Sequence, residues 1–247
     1  MTTRHWCGLA ATFFLMQLST VGLAASSKEL SALGCMLQPS KIVEVSSPVS
    51  GVLEDVLVKR GDIVESGNIL FHLKAGVEKA GVELARVKAN FAKRNVERNM
   101  DLYEDDLLSI HERDEIETEL LLSQMELMLK EQELALRTVA SPIDGVVVDR
   151  LQDEGEYVNV NPVVRLATLD PLHIDLLLPA QYFGKIAVGQ KLMIKAAPAI
   201  SKARKADVTT VDPLIDPASG TFRVQLVMQN PGNLVPAGLR CSARTTR

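Results

Sequence analysis

Residues 47–64, SPVSGVLEDVLVKRGDIV, return at 141–158 as SPIDGVVVDRLQDEGEYV, at a constant offset of 94, without a gap and with eight of eighteen positions identical. The identities are Ser47/Ser141, Pro48/Pro142, Gly51/Gly145, Val52/Val146, Asp55/Asp149, Leu57/Leu151, Gly61/Gly155 and Val64/Val158. Each copy reads as short β-branched strands punctuated by turn glycines. Gly61-Asp62 and Gly155-Glu156 mark tight corners, where a positive φ is cheap only for glycine. A piece of roughly 30 residues cannot bury both faces of its own sheet, so the two copies are expected to pair into one small β-sandwich, 47–74 plus 139–169.

The composition changes abruptly between the copies. Residues 76–138 contain no proline and a single internal glycine, Gly81, among many Leu, Glu, Lys, Arg and Ala. That is a helical segment. Val77, Ala80, Leu84, Val87 and Phe91 alternate at spacings of three and four, which predicts the seam of two helices winding together. In the second half Leu120, Leu127 and Leu134 recur every seven residues, as do Leu122, Leu129 and Leu136. The pattern weakens around Asp105 to His111, which places a turn there and predicts an antiparallel hairpin over 75–138. Its second arm has a wider apolar face than a two-stranded seam requires, so part of that face either packs on its partner helix or meets another subunit.

After the second copy, breakers such as Asp170-Pro171, Asp212-Pro213 and Asn230-Pro231-Gly232 separate strand-length runs rich in β-formers, including His173 to Leu178 and Phe222 to Met228. Residues 170–247 are therefore expected to form a small β-barrel, with 25–46 contributing a strand. The fold class is mainly β with an inserted α-helical hairpin. At the N-terminus, Arg4 precedes an apolar run from Trp6 that ends in Gly22, Ala24 and Ala25, the outline of a secretory signal over 1–24; an uncleaved anchor is the alternative.

Removing residues 1–24 leaves 26 bases against 31 acids, a net charge of −5, which argues against nucleic acid as a partner. It also leaves two cysteines, Cys35 and Cys241, an even pair that in an oxidising compartment suggests a disulfide. The alternatives are two buried free thiols or lipidation of Cys35 in the sequence Ala32-Leu33-Gly34-Cys35. Catalytic and metal-binding patterns are missing. His72, His111 and His173 fall one to a segment with no ligand-type spacing, and Gln190 stands where a phosphate loop needs lysine. No catalytic residue, metal site or cofactor is expected. The carboxylates around Glu104, Asp105 and Glu112 read as a solvated face.

The order half-sandwich, helical hairpin, half-sandwich, barrel, behind a signal peptide, resembles the periplasmic adaptor subunits (membrane fusion, HlyD-like) of bacterial efflux pumps. The stretches carrying the likeness are Pro48-Val-Ser-Gly51 through Arg60-Gly61-Asp62, its echo Ser141-Pro-Ile-Asp-Gly145, and Ser219-Gly-Thr-Phe-Arg223 with Asn230-Pro231 and Pro236-Ala-Gly-Leu239. The resemblance implies a lipoyl-like sandwich, a coiled-coil hairpin, and a non-catalytic homo-oligomer in the periplasm. It would link an inner-membrane RND-type transporter to a TolC-like outer-membrane channel. An ABC transporter as partner, or a lipoyl/biotinyl carrier or ligand-binding module, are the alternatives. A carrier needs a modifiable lysine on a short hairpin between the half-sandwiches, where this chain has roughly 60 helical residues.

The resemblance also brings a channel-docking motif of Arg, Leu four residues on and Ser seven further, here Arg98, Leu102 and Ser109. It places Cys35 and Cys241 at the two ends of the barrel, where other members continue into a membrane-proximal domain for which little sequence is left here. The seams at 74–76, 138–140 and 169–171 carry few large side chains and are expected to act as hinges.

Overall fold

The computed structural model describes residues 30–105, 107–196 and 202–245; the expected signal segment lies outside them. The chain runs through β1 (Gly34–Ser46) and the first copy's β2 (Gly51–Val56), β3 (Ile63–Val64) and β4 (Ile69–Leu73). Two helices follow, α1 (Gly76–Glu104) and α2 (Ile110–Ala135), and then the second copy's β5 (Thr138–Ala140), β6 (Gly145–Arg150) and β7 (Tyr157–Val158). The rest is β8 (Pro162–Pro179), β9 (Lys191–Lys195), β10 (Arg204–Val211), β11 (Thr221–Met228) and β12 (Ser242–Thr245).

The two copies complete each other. β2 pairs with β7 through Gly51↔Val158 and Val52↔Tyr157, and β6 pairs with β3 through Gly145↔Val64 and Val146↔Ile63, the same ladder with the copies exchanged. The corners repeat the exchange. Gly61 N–H donates to Val147 O (2.8 Å) and Val147 N–H to Asp62 O (2.9 Å), while Gly155 N–H donates to Leu53 O (3.0 Å) and Leu53 N–H to Glu156 O (2.9 Å). Both corner glycines have positive φ, 95° and 85°. Leu53, Leu70, Phe71, Val147, Val158 and Leu166 fill the core between the copies, and full burial of each of the larger side chains stabilises by about 1.5–3 kcal/mol.

β1 and β8 are long because they serve two modules. Their antiparallel ribbon pairs Glu44 with Arg165 in the sandwich and Met36 with Asp175 beyond it, with a register irregularity between Pro39 and Lys41. Beyond that point β8 joins the sheet β12-β9-β10-β11-β8 and lines a second core of Leu37, Leu172, Ile174, Leu176, Leu192 and Leu226. The barrel expected here is not closed by a continuous ladder. Between β1 and the C-terminal strand the pairing falls to one isolated bridge, Met36↔Arg240, flanked by hydrogen bonds from Leu37 N–H to Leu239 O and from Cys241 N–H to Cys35 O (each 2.9 Å). At this thin seam Cys35 and Cys241 form a disulfide, with Cα atoms 4.9 Å apart.

The seam at 169–171 is clamped rather than loose. The ribbon runs through it, and fully buried Asn230 grips it: its N–H donates to Asp170 Oδ1 (2.8 Å) and its Nδ2 to Leu169 O (2.9 Å), while Oδ1 accepts from Val235 N–H (3.0 Å). Every polar group of this buried amide is thereby used, so it stiffens the joint at little desolvation cost.

The helices form the expected antiparallel hairpin but close it with a different stripe. Among the described side chains, the buried residues of α1 are Val82, Ala85, Ala89 and Ala92, and that of α2 is Ser123. Val77, Leu84, Val87 and Phe91 are exposed, at 83%, 61%, 55% and 57%. Both stripes have helical period, and the alanine stripe lets the axes approach closely. On α2 the line Leu120, Leu127, Leu134 is half-buried at the seam, while Leu122, Leu129 and Leu136 face outward.

Candidate docking site

The free end of the hairpin is built by capping. Ser109 is the N-cap of α2 and makes a capping box with Glu112: its Oγ accepts from Glu112 N–H (3.3 Å), and its own N–H donates to Glu112 Oε2 (3.0 Å). The Ser109 hydroxyl also donates to that carboxylate at 2.7 Å. This hydroxyl bond, then the backbone one, holds the Glu112 carboxyl below its ordinary pKa. On the other arm Leu102 O accepts from Leu107 N–H (2.9 Å), which turns the chain.

Arg98, Leu102 and Ser109 all lie at this end. Arg98 and Leu102 stand one turn apart on α1; Arg98 is exposed and makes no ion pair among the described residues, so the neighbouring Asp101 does not neutralise it, and Leu102 is 42% exposed. Ser109 has a structural task, as its hydroxyl is spent on the capping box. The hollow between Val96, Met100, Leu108 and Ile116 holds about 20 Å³, room for a single water. This hollow is too small to hold an organic ligand.

The flanks of the hairpin also expose apolar side chains. Leu84 and Phe91 on α1, and Leu122, Met125 and Leu129 on α2, are more than two-fifths exposed. Cross-helix pairs, Arg86 with Glu131 (3.5 Å) and Lys88 with Glu126 (3.1 Å), edge the seam. The base of the hairpin replaces a tight turn: β4 and β5 pair through His72↔Thr138 and Phe71↔Val139, and the whole of α1 and α2 lies between them. Among the described residues no group of three or more His, Cys, Asp and Glu is placed to hold a metal ion; His72 Nδ1 instead lies 2.7 Å from Asp55 Oδ1.

Comparison with known proteins accounts for this arrangement. Residues 36–73, covering β1 to β4, match the biotin/lipoyl family model described as biotin-requiring enzyme. A chimera of MacA and MexA, which carries the α-hairpin domain of Pseudomonas aeruginosa MexA, superposes with a TM-score of 0.75 at 20% identity, over 90% of this chain and 79% of that one. The membrane fusion protein Spr0693 of Streptococcus pneumoniae gives 0.67 at 16% identity, over 87% and 97%. The chain has the fold of a membrane fusion protein. In sequence it is 24% identical over 224 residues to the antibiotic efflux pump periplasmic linker protein ArpA of Pseudomonas putida, covering 83% of this chain and 59% of that protein. The chain spans 50% to 59% of the length of the curated relatives it matches.

Periodicity missed two features of this membrane fusion fold. The pattern Ser109-Ile-His-Glu112 is a readable capping signature, and it assigns Ser109 a local partner. The exposed stripe on α1 carried no separate signal, since its spacing equals that of the buried one.

Proposed function

We propose that the chain is a non-catalytic periplasmic adaptor for efflux, which links an inner-membrane RND-type transporter to a TolC-like outer-membrane channel. The observation that carries this reading is the α-hairpin itself, about 40 Å long by helix rise, standing where a carrier domain has a short turn. Among the described residues nothing covers its apolar flanks and tip. The relatives named as efflux pump periplasmic linkers support it. Several copies stand side by side, with Leu84 and Phe91 of one hairpin against Leu122 and Leu129 of the next, and Arg98 and Leu102 meet the channel. Arg98 offers a planar fork of donors to carbonyls or a carboxylate, and Leu102, 42% exposed in the single chain, gains about 1 kcal/mol if the rest of its surface is covered.

The match of 36–73 to biotin-requiring enzymes favours a second reading, a carrier with a covalent lipoyl or biotinyl group. Intact mass of the purified protein separates the two, since the adaptor carries no added group. Copurification from crosslinked cells then tests the partners. An RND-type transporter and an outer-membrane channel are expected together, and recovery of an ABC transporter instead would replace that part of the reading.

A further inference from the structure

We propose that Arg137 is a positioning residue that sets the direction of the hairpin relative to the sandwich, seated in a notch that Gly51 leaves open. Arg137 follows the C-cap of α2 and binds three segments, two through its guanidinium and one through its backbone carbonyl. Nη2 lies 2.6 Å from Glu78 Oε1 in the first turn of α1, and Nη1 donates to Ser50 O (3.0 Å) just before β2. Its own backbone O accepts from Leu73 N–H at the end of β4 (2.8 Å). The Arg137 and Glu78 side chains are only 20% and 18% exposed, so this pair is far less screened than the exposed pairs higher on the hairpin, where both partners are at least two-fifths exposed.

The notch is specific. A Cβ at Gly51 would lie 2.6 Å from Arg137 Nη1, the far end of a flexible side chain, with Leu73 atoms at ordinary distances of 3.6 Å and more. Gly51 does not have a positive φ, so its lack of a side chain answers to the guanidinium and not to the backbone. The equivalent glycine of the second copy, Gly145, faces backbone instead, 2.6 Å from Ala167 O. One repeat position is thus left empty for main chain in one copy and for the arginine in the other.

A cleft of about 470 Å³ lies beside the guanidinium, between Asp55 and His72 of the sandwich and Lys79 and Leu134 of the hairpin. It gives the hairpin room to tilt once the guanidinium leaves Ser50. With Arg137 seated, the joint at 74–76 and 138–140 holds one angle; with it displaced, the same joint swings. The claim concerns the isolated chain, so its failure would leave the adaptor reading untouched.

The test is the distance distribution between nitroxides at Arg60→Cys on the sandwich and Asn90→Cys on α1, in the disulfide-intact full chain with Cys7→Ser. The parent should give one narrow distribution. Arg137→Gln should at least double its width, and Gly51→Ala should do likewise through a single methyl group outside the hairpin, each without loss of the folded circular-dichroism signal. In the Arg137→Gln background, Gly51→Ala should add nothing, because the side chain it displaces is already gone. Unchanged widths in both single variants, or equal and additive broadening in the double variant, would overturn the assignment. If Gly51→Ala proves poorly folded, the Glu78→Gln variant replaces it, with the same broadening and the same non-additivity expected.

Discussion

The body and the hairpin are held together in opposite ways. In the body closure is redundant: the copies of the repeat exchange strands reciprocally, the ribbon of β1 and β8 passes through both cores, and a disulfide spans the thin seam. The hairpin is closed once, by a narrow stripe of mostly small residues on α1 facing the half-buried leucines of α2, and leaves other large apolar residues in water. Surface that a fold does not use for itself is available to a partner, so the weakly closed region is where an adaptor's contacts belong. Reciprocal closure in turn gives that arm a stiff mount.

The contrast is sharpest at the disulfide. The Cys35→Ala, Cys241→Ala double variant opens a loop closed over a separation of 206 residues, which in the chain-entropy account costs about 5 kcal/mol. Melting of the body should fall by roughly 15 °C, with hairpin helicity retained at lower temperature. Loss of both together would mean that the regions are one cooperative unit.

Next in size is a matched pair of glycines. Gly145→Ala forces a methyl against the Ala167 carbonyl at 2.6 Å, and overpacking of this kind costs about 3 kcal/mol, a fall of roughly 10 °C. Gly51→Ala meets only a movable guanidinium and should leave the melting temperature within roughly 2 °C. Equal losses from the two would show that both positions serve only closure of the sandwich.

Smaller effects belong to the hairpin's free end. Ser109→Ala removes the cap of α2 and should cost about 1 kcal/mol, read as roughly fivefold faster amide exchange in the first turn of α2 with no change in melting of the body. In the same variant the titration of Glu112 should return upward. In the parent its midpoint lies below the ordinary 4.5. Because the folded value is depressed, the stabilisation it brings to the tip is present above the ordinary pKa and is lost as pH falls through the folded one. Carboxyl chemical shifts across pH 2–6 check both statements.

Much of the body was legible in the residues, because a gapless repeat with glycines at Gly61 and Gly155 leaves few ways to bury two half-sheets. The split sandwich and the hairpin between its halves followed directly. The stripe that closes the hairpin did not, because spacing says which residues share a face and not which face is covered. Val77, Leu84 and Phe91 were as regular as Val82, Ala85, Ala89 and Ala92, and close approach selected the smaller set. Arg137 was invisible for another reason: its partners, Glu78 and Ser50, are far off in sequence and are gathered only by the fold. The clamp at Asn230 hid behind a turn signal, since Asn-Pro-Gly marks a chain reversal without saying what the amide will hold.

The central claim is that the end of the hairpin meets the outer-membrane channel, and photo-crosslinking in cells from a benzophenone side chain at position 102 tests it most directly. The expected adduct joins this chain to an outer-membrane channel and disappears in the Arg98→Asp variant, while expression, disulfide and melting temperature stay as in the parent. Adducts only within the chain or to further copies of it, or a channel adduct that survives Arg98→Asp unchanged, would contradict the docking of Arg98 and Leu102.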